Sequence, residues 1–253
     1  NVYVVHLPKI FSEMIPRLIW MQILFPIYLI KNKIDVVFSP MNIMPIIVKL
    51  FNIKKVLVIH SNLPWLYPSD SPGSKITLLF QKLFRNMSIK IADSVIVDSK
   101  TAKEELINIF PDIGWKTKYI YLGIDQEKFK NNNDISSLVL CNKINIKKEE
   151  YFLTISSAVR YHCIEELIIA YEKLCDQYND IPKYLFISKN LDSKYFNEIK
   201  TLINTSKYSE KIVFCENIES NFIPNLYENS SLYIFSSYCE VFGLTNLEAM
   251  SSG

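Results

Sequence analysis

The chain has 253 residues, 49% of them hydrophobic, with 28 lysines and arginines against 26 aspartates and glutamates. That apolar content suffices for buried cores, and a formal net charge of +2 excludes a self-repelling disordered chain and disfavours nucleic acid as a partner. Single cores stop growing near ~250–300 residues, so two domains are expected.

In chain order, Val2–His6 reads as a β-branched strand. The longest apolar run, Leu18–Ile30, is broken by Gln22 and Pro26 and falls short of the ~18 apolar residues of a spanning helix. With Arg17 before it and Lys31 and Lys33 after it, two readings stay open: a buried core helix, or a helix resting partly on a membrane surface. Strands follow at Asp35–Ser39, Lys55–His60, Ser94–Asp98 and Lys118–Tyr121, with helical periods between them. The helix after Ser99 has a candidate capping box, Thr101-Ala-Lys-Glu104, and should stop near Phe110-Pro111, because proline cannot continue it.

A polar run, Lys130-Asn-Asn-Asn-Asp134, and the basic segment Asn142–Lys148 read as an exposed linker, dividing a first domain at 1–130 from a second at 146–253. The second repeats the pattern, with strands at Tyr151–Ser156, Tyr184–Ser188, Lys211–Cys215 and Leu232–Ser236 and helices near 164–178, 192–205, 222–228 and from 246 on. Strands alternating with helices predict an α/β fold of two doubly wound parallel sheets. Ligands of such sheets bind beyond the carboxyl ends of the strands. The five glycines, at 73, 114, 123, 243 and 253, form neither Gly-x-Gly-x-x-Gly nor a phosphate loop, so dinucleotide and P-loop chemistry have little support.

The five cysteines, at 141, 163, 175, 215 and 239, are odd in number and contain no Cys-x-x-Cys, suggesting neither a disulfide framework nor a zinc site; a cytoplasmic location fits best. The three histidines, His6, His60 and His162, lack metal-ligand spacing, and no Asp-x-Asp pair is present, so no metal is expected. The chain starts at Asn1 and ends at Gly253, and the absence of a readable targeting signal carries little weight.

Chemistry concentrates in the last segment, where an apolar strand runs through Glu240-Val-Phe-Gly-Leu-Thr-Asn-Leu-Glu248 into a helix starting after Gly243. Unpaired amides and the positive dipole end of a helix start make an anion site, and a glycine lets a phosphate come close to the backbone. Two glutamates separated by seven residues, with Phe242-Gly243-Leu244 between and Glu248-Ala-Met250 closing, resemble the donor-site signature of the retaining glycosyltransferases of the B-type fold, the large mannosyl- and glucosyltransferase family called group 1. Other pieces are similar to that family in the expected order: Arg17-Leu-Ile-Trp20 with Pro26, Asp35-Val-Val-Phe-Ser-Pro40, Val56-Leu-Val-Ile-His60, Ala92-Asp-Ser-Val-Ile-Val-Asp-Ser99 and Tyr121-Leu-Gly-Ile-Asp125.

The resemblance implies two Rossmann-like domains facing a cleft, the second truncated at its C-terminus, and retaining transfer of a sugar from a nucleoside-diphosphate donor to a glycan or lipid-linked acceptor in surface polysaccharide, lipopolysaccharide or glycolipid synthesis. Peripheral attachment at the inner face of a membrane would suit such an acceptor. By the same resemblance Glu248 binds the ribose, Glu240 lies beside the transferred sugar, and the amides of Phe242, Gly243, Leu244 and Thr245 hold the distal phosphate and sugar. The backbone near Ile218 meets the base, and His60 faces the reacting centre from the first domain; a strand-end histidine satisfied by backbone is the plainer reading of His60.

The sequence departs from the family in the first loop of the second domain, where a lysine is usual and Tyr161-His162-Cys163 stands. An arginine often found five positions earlier is replaced by Ser157. Developing charge on the leaving phosphate needs positive partners. Arg160 and a protonated His162 are the candidates for that role; His162 as a mere helix-start residue, in a non-catalytic glycosyltransferase-like binding subunit, is the alternative.

Overall fold

The computed structural model describes residues 4, 6–12, 14–71, 75–130, 139–140, 144–145, 150–216 and 218–253. Most of the expected strand Val2–His6, and most of the two linker segments 130–134 and 142–148, lie outside the described residues. The chain divides into two compact units, Asn1–Tyr121 and Leu122–Gly253.

The first unit opens with helices α1 (Met14–Ile19) and α2 (Phe25–Lys31), joined by a π-helical turn at Trp20–Leu24. Pro26 lacks an amide and its ring crowds the preceding turn, so the helix widens just before it and the Phe25 amide donates to the Trp20 carbonyl. The Trp20 and Phe25 rings stack across the widened turn at 5.0 Å. Strands β1 (Val36–Ser39), β2 (Lys54–Ile59), β3 (Ser94–Val97) and β4 (Thr117–Tyr119) form one parallel sheet in that order. A 3-10 helix at Ile46–Leu50 lies between β1 and β2, helices α3 (Leu63–Leu66) and α4 (Lys75–Ile91) between β2 and β3, and α5 (Lys100–Ile109) between β3 and β4.

Two helix ends in this unit show how side chains replace missing backbone partners. The N-cap of α5 is Ser99, whose hydroxyl accepts from the Ala102 amide at 3.0 Å; the cap therefore lies two residues before the expected Thr101, which is inside the helix. Beyond the C-terminal end of α4, the buried Lys116 ammonium donates to the carbonyls of Ile89, Lys90 and Ala92 at 2.8, 3.1 and 2.7 Å. Those carbonyls have no partner within the helix, so one cation satisfies an end that burial would otherwise penalise.

The second unit contains α6 (Gln126–Lys130) and the short antiparallel pair β5 (Val139–Leu140) and β6 (Ile144–Asn145). Its main sheet is parallel, with β7 (Tyr151–Ala158), β8 (Lys183–Asn190), β9 (Ile212–Glu216) and β10 (Leu232–Tyr233) in the order β10-β7-β8-β9. The helices are α7 (Ile164–Gln177), α8 (Ser193–Thr205), α9 (Ile223–Glu228) and α10 (Leu244–Ser252). Successive strand residues point to opposite faces, and here both faces are buried. Tyr151, Leu153, Leu185, Ile187 and Val213 pack with Phe129, Leu226 and Tyr227 on one side; Tyr184, Phe186 and Ile212 pack with Ile164, Ile168, Tyr195, Phe196 and Ile199 on the other. Phe129 places α6 in this second core. Cys163, Cys175 and Cys239 are free thiols, whereas Cys215 is disulfide-bonded, which the cysteine spacing did not suggest.

Candidate functional site

The expected strand Leu232–Ser236 ends at Tyr233: the Ile234 amide still donates to the Leu153 carbonyl of β7 at 2.8 Å, but the Ile234 carbonyl accepts from the Thr154 hydroxyl at 2.7 Å, and from Ser236 on the chain bonds to the loop after β7. The Ser236 hydroxyl donates to the His162 carbonyl at 2.7 Å, and the Tyr238 amide donates to the Tyr161 carbonyl at 3.1 Å. These bonds bring His162 and Glu240 to one carboxyl edge of the sheet. They are close enough for the Glu240 charge to act on the imidazole.

The chain then turns into α10 through Gly243, which has φ +82° and ψ +56°. A side chain in that left-handed conformation is strained, which favours glycine at the turn; a Cβ there would also press on the side-chain Nδ2 of Asn246 at 2.9 Å, the tip of a side chain that can move aside. The Gly243 carbonyl accepts from the Asn246 amide at 3.0 Å and from Leu247 at 3.4 Å, and no side chain caps the helix. Among the described residues the Leu244 and Thr245 amides donate to no protein group. Gly243 itself is buried, while Leu244 is exposed and Thr245 half-buried, so the amides available to an anion are those of 244 and 245.

Glu240 is exposed and lies against Gly243. Glu248, one turn into α10, is half-buried, and one of its oxygens accepts from the Tyr227 hydroxyl at 3.1 Å. Tyr227 was not expected as a site residue; only the packing of α9 on α10 brings it there. Burial, aided by the Tyr233 hydroxyl and the Glu248 charge, drives the Tyr227 phenol far above its ordinary value, so it stays a donor to the carboxylate. The Tyr233 hydroxyl lies near Thr245 and Tyr227 without a hydrogen bond of good geometry, and burial pushes it up to about 12. Phe242 is half-buried beside Gly243, and Ile218 packs partly buried against the core that contains Leu226 and Tyr227.

The two expected phosphate cations part company. Arg160 donates to Glu198 at 2.6 Å and lies over the Tyr195 ring at 4.9 Å, both on α8, and Glu198 raises its already high pKa further. His162 donates its Nδ1–H to the Ser157 carbonyl at 2.7 Å, packs edge-on against Tyr161, and is pushed below its ordinary value by burial, against the opposing pull of that bond and of Glu240. His60 belongs to the first unit, where its Nδ1 bonds to Asp98 at 2.8 Å.

Parallel sheets with sites at their carboxyl ends define the class, and solved structures place it: the fold is that of the GT-B glycosyltransferases. HepE of Anabaena, solved in complex with UDP-glucose, superimposes with a TM-score of 0.67 at 19% identity, covering 86% of this chain and 57% of that one. Sucrose-phosphate synthase from Thermosynechococcus elongatus gives 0.70 at 18% identity, covering 98% and 61%. The chain belongs to the glycosyltransferases: residues 1–128 match Glycosyltransferase Family 4, and residues 140–253 match Glycosyl transferases group 1. Among curated relatives it is 28% identical to an uncharacterized glycosyltransferase of Methanocaldococcus jannaschii over 63% of this chain and 40% of the relative. It is 22% identical to the O-antigen chain mannosyltransferase RfbU of Salmonella typhimurium over 82% and 56%. The chain thus spans about half the length of these relatives.

A buried histidine with a depressed pKa takes its proton in the unfolded chain before the folded one, so acid costs stability. We expect the His162 ring, followed by NMR in the ligand-free protein, to titrate below ~6.5, and the unfolding free energy to fall as pH drops through that value. His162→Gln should remove that part of the pH dependence. A ring that titrates above ~7 would contradict the burial seen here.

Proposed function

We propose that the protein transfers a sugar from a nucleoside diphosphate to an acceptor hydroxyl with retention at the anomeric carbon. The observation that carries this reading is the start of α10, where two amides without partners among the described residues are flanked by Glu240 on the preceding loop and Glu248 one turn on. In this reading the Leu244 and Thr245 amides, with Phe242 and Gly243 shaping the turn, hold the distal phosphate. Glu248, with one oxygen fixed by Tyr227, accepts from the ribose hydroxyls. Glu240 positions the transferred sugar, the backbone at Ile218 meets the base, and His60 serves the reaction from the first unit.

The phosphate charge is met by the helix start and by His162, not by a metal ion. Ionised phosphate would favour the imidazolium that burial disfavours, so His162 would gain its proton on donor binding, while Arg160 contributes only if it leaves Glu198. That arrangement also supports a second reading, a glycosyltransferase-like subunit that binds nucleotide without turnover, because Arg160, the arginine expected to serve the phosphate, is bonded to Glu198.

A panel of nucleoside-diphosphate sugars given to the protein, with binding, transfer and anomeric configuration read separately, distinguishes the two. We expect donor-dependent transfer with retention, and Glu248→Gln should weaken nucleotide binding about 10-fold or more, the value of a hydrogen bond to a charged group. Binding without transfer would favour the second reading, and no binding of any donor would sink both.

The acceptor side rests on the first unit, and the likeness to RfbU, an O-antigen chain mannosyltransferase, supports a role in surface polysaccharide or glycolipid synthesis; attachment at the inner face of a membrane would suit such an acceptor. No helix among the described residues is long and apolar enough to cross a membrane. However, Ile19, Ile23 and Ile27 around α1 and α2, and Ile76, Leu79 and Leu83 on α4, are each about half exposed or more. Segments 14–34 and 75–92 carry seven cations, at 17, 31, 33, 75, 82, 85 and 90, and no acidic residue. A groove of about 500 Å³ between them is lined by Leu18, Met21, Ile43, Ile76, Phe80 and Phe84. Apolar side chains ringed by cations suit peripheral contact with an anionic bilayer. We expect the protein to sediment with phosphatidylglycerol vesicles and not with phosphatidylcholine vesicles, and Leu79→Asp with Leu83→Asp to abolish it; equal retention on both lipids would remove this part of the reading.

A further inference from the structure

The first unit presents a second built arrangement, separate from the glutamate signature. Strands β2 and β3 are parallel neighbours with Ile59 opposite Val97, so the next residues, His60 and Asp98, leave the sheet side by side at its carboxyl edge. Their side chains meet, Nδ1 to Oδ2, at 2.8 Å. The environments are unequal: the Asp98 side chain is 5% exposed and the His60 side chain 40%. A buried carboxylate can only accept, so the shared hydrogen is the Nδ1–H of the ring.

The main chain of His60 is held as firmly as its ring. Its amide donates to the Asn42 side-chain oxygen at 2.7 Å, and the Asn42 amide donates to the Val58 carbonyl at 3.1 Å. Asn42 reaches both from a left-handed backbone, φ +66°, a conformation that asparagine tolerates better than most residues. Nε2 makes no hydrogen bond among the described residues. The other charged groups near this turn have partners of their own: Arg85 of α4 donates to the Ser61 carbonyl at 3.4 Å, and Glu105 of α5 accepts from Asn62 at 3.0 Å. A histidine that only filled a strand end would need neither the buried carboxylate behind its ring nor the clamp on its amide.

We propose that Asp98 is a positioning residue for sugar transfer: by accepting the Nδ1–H of His60 it fixes the tautomer that presents Nε2, as a hydrogen-bond acceptor, to a hydroxyl of the substrate. This rests on the transferase reading above and adds to it the residue behind the ring and the direction of the hydrogen bond. Nothing in the pair forms or breaks a covalent bond. Its contribution is orientation, which is lost when the ring can rotate or when an amide at 98 donates to Nδ1 and reverses the tautomer.

The test is a kinetic cycle with Asp98→Asn, His60→Ala and the double variant, joined to nitrogen NMR of the His60 ring in the wild-type protein. Asp98→Asn should lower kcat about 100-fold with little change in KM, the pattern of lost orientation. In the His60→Ala background the same change should cost nothing further, an outcome that a merely structural Asp98 would not give. The spectrum should show Nδ1 protonated and Nε2 bare, and it decides the proposal if Asp98→Asn does not fold. Unchanged turnover in Asp98→Asn, an equal loss in both backgrounds, or the opposite tautomer would each overturn the positioning role. Failure of the wild-type protein to transfer any sugar would instead overturn the transferase reading on which it stands.

Discussion

An α-helix cannot satisfy its own first amides, and at α10 no group among the described residues accepts from those of Leu244 and Thr245. Two helix starts borrow a side chain, α5 from Ser99 and α8 from Asp192, whose carboxylate accepts from the Lys194 and Tyr195 amides, whereas α3, α7, α9 and α10 have no side-chain cap. Gly243 offers no side chain, and its left-handed backbone fixes where Leu244 and Thr245 point. The surrounding network serves to hold this turn. Ser236 and Tyr238 anchor the preceding loop to His162 and Tyr161, and Tyr227 anchors Glu248 from below. An anion is the natural partner for such an end, and in the proposed reading the carboxylates of Glu240 and Glu248 on either side of it would accept from the hydroxyls of sugars attached to that anion.

The same topological rule accounts for the first unit. Parallel strands deliver their carboxyl ends to one edge, so residues just past β2 and β3 become neighbours although 38 positions separate them. That edge can hold a ring in a chosen orientation because both contributors are strand ends, which are stiffer than loops. Lys116 binds the Ile89 and Lys90 carbonyls at the end of α4, the helix that leads into β3.

What the sequence reveals follows from which interactions are local. Runs such as Lys55–His60 and Tyr184–Ser188 signal strands because burial on both faces demands continuous apolar residues, and those strands form the two sheets. The π turn at Trp20–Leu24 and the early end of β10 were not legible. The first depends on how a helix absorbs Pro26, and the second on hydrogen bonds to Thr154 of β7 and to the loop after it, more than seventy residues away. The start of α10 was legible to within two residues, because Gly243 sits at the break between strand and helix periods. Tyr227 beneath Glu248, Glu198 beside Arg160 and Asp98 behind His60 were not, since each meets its partner only through tertiary packing. The cationic role expected of Arg160 and His162 was drawn from charge alone; that Glu198 holds Arg160 and that burial surrounds the His162 ring are facts of tertiary packing that the sequence does not carry.

The central claim is that the amides of Leu244 and Thr245 receive a phosphate. It is tested most directly by following backbone amide resonances while UDP, GDP and ADP are added in turn. The account predicts that at least one nucleotide shifts the Leu244 and Thr245 signals saturably, together with those of Glu240 and Glu248. If nucleotides bind and leave these amides unmoved, or if none binds at all, the α10 turn is not the donor site and the account built on it is wrong.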